Sequence, residues 1–531
     1  MSPDRTRDPA RWQLPLLVVM SASYESLFLH HGLNRIDEGW MLYAARQLHQ
    51  GGLLYRDVFF GYPPGQLLPA WLGSWIDPPG VVAARAVNAA FATAMVVALY
   101  FLGRRVMPPA FALLGAAMLA VAAPDSHLWH YLFGYRFLIF SGLALLAFGR
   151  RLDGGGVFWT FAAGLLTGVA AVFRLEPAAA VGIALGIGVL AAGLPGRAWL
   201  RDAGGLLLGF LCSLVPVLAY LAHGVGLETL WNEVVVRAVL GSAAMSLPVP
   251  ALELGGGFTR DAISDAFVAL QFRLYPLLFG GYALALFGLW LRALARGERF
   301  QHVFLLTVVI WGGLYLTRAF GRSDDAHLDM TIPPPCLLLA HATGLLVRMA
   351  SGARPTSGAR RFASAGTVLG VLAAWILLLG ADRTIGPGDR GTAPFASLGG
   401  RVYGSSESWA RTLDTAVERI RSWTRPDQEI LDLSASPILY VLAERNGAGR
   451  HDVLMPGTFL DSEEERRTIA ELEASPPALV VWPGRAFDGD PERTVDALAP
   501  ELARWVKENY ALPGGRTGFF TILVPTPHGA D

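Results

Sequence analysis

The amino-acid sequence predicts an all-α polytopic membrane protein that carries a small α/β domain outside the membrane. Of its 531 residues, 53% are hydrophobic and only 16% are charged, and the mean hydropathy is +0.41. A soluble domain of this size is much less apolar. From about residue 382 the composition changes, because Pro, Gly, Ser and charged residues there interrupt short apolar runs. We therefore divide the chain into a transmembrane domain, 1–381, and a C-terminal domain, 382–531.

Apolar stretches in the first domain match the length of membrane spans, for which about 20 residues are typical. Eleven of them begin near residues 12, 81, 109, 135, 157, 177, 203, 273, 302, 328 and 365. Arginine is concentrated in alternate connections, which predicts a cytoplasmic N-terminus. An odd number of spans then places the C-terminal domain in the periplasm of a bacterium, beside its inner membrane. Two long loops, 31–80 and 223–265, are expected on the same side.

The C-terminal domain alternates strand-like and helix-like segments, a pattern typical of α/β domains. Strands are predicted at Glu429–Leu433, Ala478–Trp482 and Phe519–Val524. Helices are predicted over 407–423, 435–445, 461–474 and 491–510.

Composition also excludes several classes of function. The net charge is zero, which gives no indication of a nucleic-acid partner. The predicted cytoplasmic connections are short and lack a phosphate-binding Gly-Lys-Ser/Thr loop, so cytosolic nucleotide is not the expected energy source. Cys212 and Cys336 both lie in apolar stretches and are expected to be core residues, without a disulfide. No cofactor is expected.

The most informative segment begins just after the first span. Asn34 precedes the pair Asp37-Glu38, which starts a helical pattern that ends at Gly51-Gly52. One interpretation is purely structural, with Asn34 as a helix cap and the two acids favoured by the positive end of the helix dipole. Further along the loop come Tyr55-Arg56-Asp57 and then Tyr62-Pro63-Pro64.

This succession resembles the first extracytoplasmic loop of the GT-C class of membrane glycosyltransferases. Those loops carry an Asp-Glu pair, a helix rich in Tyr and Ala, a Gly turn, Tyr-x-Asp and a Pro-Pro pair, in this order. The protein mannosyltransferase and aminoarabinose transferase group is the most similar. The resemblance implies a GT-C bundle of about 11 transmembrane helices and a sugar donor carried on polyprenyl phosphate in the lipid bilayer. The acceptor would be a cell-envelope lipid, glycan or protein.

The resemblance also implies roles for individual residues. Asp37 would be the base that takes a proton from the acceptor, with Glu38 orienting or assisting it, and the transfer would invert the anomeric carbon. The other motif side chains expected to contact substrate are Arg35, Tyr55, Asp57 and Tyr62.

Two later turns carry charges that are costly near a membrane unless they are paired or functional. The first contains Arg174 and Glu176; GT-C enzymes carry a Lys or Arg there, and the Arg fork suits phosphate. The alternative is a structural ion pair. The second turn follows Arg318 and contains Arg322, Asp324 and His327. These residues are expected to contact the sugar or the phosphate, or else to form a solvated loop.

A third cluster, Asp125, His127 and His130, offers ligands for a divalent cation or simply hydrogen bonds. The pattern also departs from the aminoarabinose transferases, which have a Lys where this chain has Tyr62. Their second acid, at the start of span four, is replaced here by Tyr135-Arg136. The sugar and the acceptor therefore stay open.

Two other classes of function remain as alternatives. A lipid-linked sugar flippase or transporter would show inverted repeats and charges near the membrane midplane. The sequence shows no such repeat, and its charges gather at one face. An inactive envelope-assembly scaffold would look much the same as the enzyme.

Overall fold

A helical bundle followed by a mixed sheet makes up the computed structural model of the chain. It describes residues 10–122, 135–193, 196–253, 260–351, 366–367, 370–371, 374, 392–512, 516–517 and 519–526. The proposed cation ligands Asp125, His127 and His130 lie outside these residues. So do the domain boundary predicted at residue 381 and most of the eleventh predicted span, and all of these stay predictions.

Helices occur at the first ten of the eleven predicted span positions. Among the described residues, four helices are long and apolar enough to cross a membrane, namely Val81–Arg104, Ala198–Val225, Asp265–Ala295 and Val303–Gly321. In chain order the helices are α1 Ala10–Ser26, α2 Asp37–His49, α3 Leu68–Ile76, α4 Val81–Arg104, α5 Pro109–Ala120, α6 Leu138–Leu152, α7 Phe158–Phe173, α8 Leu175–Ala191, α9 Ala198–Val225, α10 Leu227–Trp231, α11 Arg237–Ala244, α12 Arg260–Ala295, α13 Val303–Gly321, α14 Asp325–Asp329, α15 Pro333–Ser351, α16 Glu407–Trp423, α17 Ile438–Ala443, α18 Ser462–Ala474, α19 Val495–Leu498 and α20 Pro500–Asn509.

The two long loops are themselves ordered into short helices. Loop 31–80 contains α2, a 3₁₀ turn at Pro64–Leu67 and α3. Loop 223–265 contains α10, a π-helical turn at Asn232–Val236 and α11. These segments supply the surface on which the C-terminal region packs.

The C-terminal region contains a small mixed sheet. The strands of this region are β1 Ala393–Pro394, β2 Tyr403–Gly404, β3 Glu429–Asp432, β4 Asn446–Gly447, β5 Val480–Pro483, β6 Tyr510–Ala511, β7 Arg516–Thr517 and β8 Phe520–Pro525, and β1 and β2 form a separate antiparallel pair. The main sheet has the order β4-β3-β5-β8-β6, with β3 parallel to β4 and β5 and with β8 antiparallel to β5. All three predicted strands are present, each within two residues of its expected start.

One predicted helix of this region is wrong in its length. The segment 491–510 is broken into a 3₁₀ turn, α19 and α20. Pro500 lacks the backbone N–H that a continuous helix needs, so the helix restarts there with proline in its first turn.

The C-terminal region packs directly on α2. A Cβ atom added to Gly39 would lie 2.3 Å from the backbone nitrogen of Ile438, so the two backbones touch. The Tyr43 ring stacks on Tyr440 at 4.6 Å between centroids, and the Gly447 N–H donates to the Tyr43 hydroxyl at 2.6 Å. The helix that begins with Asp37 is thus covered by the sheet-containing region.

A second contact, which we name the clamp cluster (Glu233, Arg237, Arg450 and Glu464), joins loop 223–265 to the C-terminal region. Arg237 donates to Glu233 at 2.9 Å and also to Glu464 and the carbonyl of Thr458. Arg450 donates to Glu233 at 2.5 Å. The two acids and the two arginines balance in charge, which is the usual condition for burying ions.

Candidate active site

Asp37 is the first residue of α2, and its side chain is buried, with 7% of the residue exposed. The backbone N–H groups of Ile36 and Asp37 both donate to the Asn34 side-chain oxygen at 3.0 Å. Asn34 therefore braces the turn that leads into α2, although the residue at the N-cap position is Ile36. The fixed backbone holds the Asp37 carboxyl in one place.

The surroundings of Asp37 raise the pKa of its carboxyl group toward neutral pH. Burial raises the pKa of the Asp37 carboxyl to about 6, although a hydrogen bond from Asn34 and the charges of Arg322 and Arg35 act in the opposite direction. Arg322 lies almost 300 positions away in sequence, so the fold brings the loop acid and the later turn together. A carboxyl with such a pKa both gains and loses a proton near neutral pH.

Glu38 has a different environment from its neighbour. Both of its oxygens accept from Arg85, at 2.7 and 2.8 Å, and Arg85 is fully buried. Arg85 also donates to the carbonyls of Leu29 and Gly32, at 2.8 and 2.9 Å. Because both carboxylate oxygens are engaged, Glu38 anchors the loop on α4, and its expected assisting role stays a prediction.

Arg35 faces the C-terminal region. Its guanidinium donates to the Phe487 carbonyl at 3.2 Å and lies 4.5 Å from the centre of the Phe519 ring. Burial lowers the pKa of Arg35 to about 10, while the negative charges of Asp432 and Asp37 act to raise it. Arg35 thus contacts the C-terminal region, and its expected contact with substrate stays a prediction.

Asp432 is electrostatically coupled to Arg35, which local sequence patterns did not indicate. It is 1% exposed at the end of β3, where it accepts from the Ser434 N–H at 2.9 Å and the Ser436 N–H at 2.6 Å. Burial raises the pKa of Asp432 to about 6. An acid that follows an apolar strand and precedes Ser-x-Ser is a signal for such a turn, but only the fold places it beside Arg35.

The predicted substrate contacts Tyr55 and Asp57 instead hold a turn. The Tyr55 ring is fully buried and its hydroxyl donates to the carbonyl of Tyr62 at 2.7 Å. Asp57 accepts from the Leu53 N–H and from the exposed side chain of Arg56, both at 2.8 Å. We therefore assign both side chains a structural role in this turn, and their expected contact with substrate stays a prediction.

Tyr62 connects the acid to the cationic part of the site. Its ring packs against those of Trp40 and Phe60, at 5.7 and 5.6 Å between centroids. Burial raises the pKa of the Tyr62 hydroxyl; the charge of Asp37 adds to this effect, and that of Arg174 opposes it. The hydroxyl is therefore electrostatically coupled to both Asp37 and Arg174.

Two arginines share one carboxylate at the ends of α7, α8 and α13. Glu176 Oε2 lies 3.5 Å from Arg174 Nε, and Glu176 Oε1 lies 3.1 Å from Arg318 Nε. The ion pair that was left as an alternative for Arg174 is thus present, and Arg318 extends it. Arg318 lies four residues before Arg322, on the last turn of α13.

The turn after α13 is paired within itself. Arg322 donates to Asp324 at 2.7 Å, and the His327 N–H and ring Nδ1 lie 2.9 and 2.6 Å from Asp324 Oδ1. Burial alone would raise the pKa of Asp324, but the hydrogen bonds from His327 and Arg322 lower it. Burial lowers the pKa of His327, and the charges of Arg318 and Arg174 lower it further.

The structure therefore couples most of the predicted site residues into one group. We name it the acid–arginine site, and it consists of Asp37, Tyr62, Arg174, Glu176, Arg318, Arg322, Asp324 and His327. Within the described residues, no set of three or more His, Cys, Asp or Glu side chains is arranged to hold a metal ion.

Solved structures share this architecture over nearly the whole chain. ArnT from Cupriavidus metallidurans bound to undecaprenyl phosphate has a TM-score of 0.56 and 16% identity, with 99% of this chain and 100% of that chain covered. Its apo state gives 0.55 and 16%, with coverage of 97% and 98%. The apo oligosaccharyltransferase of Archaeoglobus fulgidus gives 0.51 and 14%, with coverage of 96% and 74%.

No protein-family model matches the chain, and no curated protein matches it in sequence. The structural likeness confirms the GT-C fold that the outer loop predicted. The chain is a membrane protein with the bundle of this class and a small sheet-containing C-terminal region.

Proposed function

We propose that this chain is an extracytoplasmic glycosyltransferase that moves a sugar from a polyprenyl-phosphate carrier to a cell-envelope acceptor. The observation that carries the proposal is a buried acid, Asp37, with a pKa of about 6, electrostatically coupled to Arg322 and, through Tyr62, to Arg174. Transfer from a phosphate carrier needs a base for the acceptor and positive charge for the leaving phosphate. The similar ArnT structure holds undecaprenyl phosphate, which agrees with such a donor.

Asp37 acts on the acceptor in this scheme. The nucleophilic oxygen or nitrogen of the acceptor attacks the anomeric carbon while its proton passes to the Asp37 carboxylate. The bond between the anomeric carbon and the phosphate oxygen breaks, and its electron pair stays on the phosphate. Because attack occurs opposite to the leaving phosphate, the configuration at the anomeric carbon is inverted.

The arginines act on the leaving group. A guanidinium presents two parallel N–H donors and stays charged, so Arg174 and Arg318 are suited to the phosphate oxygens as negative charge develops. Arg322 and His327 lie in the same electrostatic group and would contact the sugar or the phosphate. The prenyl tail would remain in the bilayer against the apolar helices, with the site on the periplasmic side of the inner membrane.

The proposal is tested by sugar transfer in membranes that contain the wild type, Asp37→Asn or the matched control Asp77→Asn, with a panel of radiolabelled polyprenyl-phosphate sugars. Asp77 lies in the same loop and forms a surface pair with Arg401 at 2.5 Å, away from the acid–arginine site. We expect Asp37→Asn to lower the rate at least about a hundredfold, the contribution typical of a general base. Asp77→Asn should retain the wild-type rate.

Two outcomes would count against the proposal. Full activity of a folded Asp37→Asn variant would remove Asp37 as the base. If the wild type turned over no donor in the panel, the assembly scaffold and the flippase would become the better accounts. Movement of a fluorescent polyprenyl-phosphate sugar across proteoliposomes would then distinguish these two.

A further inference from the structure

We infer that Glu176 is a displaceable anion that occupies the position of the carrier phosphate between Arg174 and Arg318 and exchanges with it. This inference rests on the proposed function. The two carboxylate oxygens each face a different guanidinium, at 3.5 and 3.1 Å. Two non-bridging oxygens of a phosphate can bridge the same two cations in the same way.

Exchange requires that the two arginines be enclosed and that the glutamate be accessible, and the exposed fractions of the three side chains differ in this way. The side chains of Arg174 and Arg318 are 5% and 17% exposed, whereas that of Glu176 is 45% exposed. The cations are therefore held by their surroundings, and the anion can turn into the solvent without disturbing the packed helices. Glu176 is also the second residue of α8. The start of a helix favours negative charge, whether the Glu176 carboxylate contacts the arginines or is turned away from them.

The contact between Glu176 and Arg318 is held by charge more than by hydrogen bonding. Arg318 Nε is buried, lies 3.1 Å from the Glu176 oxygen, and has no hydrogen-bond partner of regular geometry among the described residues. By contrast, Glu38 forms two hydrogen bonds with Arg85, at 2.7 and 2.8 Å. A phosphate that satisfies the Arg318 N–H therefore gains a bond that Glu176 does not make.

The charges of Arg174, Arg318 and Glu176 indicate how the exchange would aid product release. Two guanidiniums and one carboxylate leave one positive charge in excess. A sugar phosphodiester carries one negative charge and replaces Glu176 without changing this balance. The released polyprenyl phosphate is a monoester with a charge of about −1.5 to −2 near neutral pH, so it binds the two arginines more tightly than the donor does. The return of Glu176 competes with this product and promotes its release.

Exchange and a purely structural role of Glu176 predict opposite effects on the affinity for polyprenyl phosphate when Glu176 is removed. If Glu176 only held the arginines in place, or bound the sugar, its removal would weaken the binding of polyprenyl phosphate or leave it unchanged. If it competes with phosphate, its removal strengthens binding. We therefore expect Glu176→Gln to lower the Kd for undecaprenyl phosphate about tenfold, because a charge-assisted interaction that must be broken is lost.

The experiment measures binding of undecaprenyl phosphate to the full chain in nanodiscs, for the wild type, Glu176→Gln, Glu176→Asp, Arg174→Gln and Arg318→Gln. Glu176→Asp has a shorter side chain that reaches the arginines less well, and its affinity should lie between those of the wild type and Glu176→Gln. It also keeps the test available if the glutamine variant does not fold. A presteady-state burst of transfer, followed by slow turnover, is expected for both Glu176 variants because product release is delayed.

The outcomes separate the inference from the function on which it rests. If the arginine variants lose binding but both Glu176 variants bind no more tightly than the wild type, the exchange is wrong and the phosphate site stands. If the arginine variants bind as well as the wild type, the phosphate does not lie between them, and both the site and the exchange fail. Tighter binding by the Glu176 variants together with weaker binding by the arginine variants supports both.

Discussion

The acid–arginine site and the clamp cluster contain the same kinds of residue in opposite arrangements. In the clamp cluster, Arg237 donates to two acids and to a backbone carbonyl, and the charges balance. In the acid–arginine site, Arg174 and Arg318 share the half-exposed Glu176. Buried ion pairs join parts of a protein, whereas charged groups around a half-exposed carboxylate are better placed to meet a ligand.

The pKa values show the same contrast. Burial would raise the pKa of Glu464 in the clamp cluster, but hydrogen bonds from His451 and Arg237 outweigh it and lower the pKa to about 2. In Asp37 the effect of burial dominates, and the pKa is raised to about 6. One carboxylate is fixed in its charged form, and the other is able to exchange a proton near neutral pH.

The largest expected effect comes from breaking the clamp cluster. Arg237→Met leaves Glu233 and Glu464 with one cation fewer in a buried position, and we expect a loss of about 3–5 kcal/mol in the free energy of unfolding. The comparison variant Arg318→Gln should cost less, because the half-exposed Glu176 keeps Arg174 as its partner. Unfolding in detergent measures both, and equal losses would contradict the distinction between the two clusters.

Asp37→Asn should stabilise the protein in a pH-dependent way. A raised carboxyl pKa means that ionisation is less favourable in the folded state, so the wild type loses stability as pH rises from below 4 through about 6. A shift from 3.8 to about 6 corresponds to at most about 3 kcal/mol. The variant should thus be more stable than the wild type at pH 8 and equal to it at pH 4. Asp432 has a similar pKa. It contributes equally to the pH dependence of the wild type and of the variant, so its effect cancels in the stability difference. A stability difference independent of pH would refute the assignment.

Gly39→Ala should loosen the cover over α2. The new Cβ would meet the Ile438 backbone at 2.3 Å, a contact that requires the C-terminal region to shift. Such overpacking costs about 1–3 kcal/mol. Gly186→Ala is the control, since no atom lies within 4 Å of a Cβ added there. Limited proteolysis between residues 382 and 392 reports the loosening, and identical cleavage of the two variants would show that the cover is not fixed at Gly39.

The smallest effect is expected at Asp57. Asp57→Asn loses the surface pair with Arg56 but keeps an oxygen for the Leu53 N–H, so stability should change by less than about 1 kcal/mol. Transfer activity should stay at the wild-type level. A selective rise in KM would return Asp57 to the substrate contacts that the loop motif first indicated.

Local patterns were enough to predict ten span positions and three strands of this fold, but not the short helices of the two long loops. Apolar runs gave the helix positions, and alternation of strand and helix segments gave β3, β5 and β8. The loop motif and the two charged turns identified most of the acid–arginine site. These signals lie within short windows, where period and composition determine structure.

The partners of each charge could not be predicted, because they depend on contacts between distant segments. Glu38 looks the same as Asp37 in sequence, yet Arg85, 47 positions later, engages it fully. Nothing near Gly39 indicates that Ile438 will touch it. The role of a carboxylate in this chain is set by which arginine reaches it, and that is a property of the tertiary fold.

The most direct test of the central claim is the pH dependence of single-turnover sugar transfer by the wild type between pH 5 and pH 8. Since Asp37 must be ionised to accept the proton and its pKa is about 6, the rate should rise tenfold per pH unit below pH 6 and level off above it. The residual rate of Asp37→Asn should lack this inflection. A wild-type rate that is flat across the range, or an inflection that persists in Asp37→Asn, would contradict the assignment of Asp37 as the base.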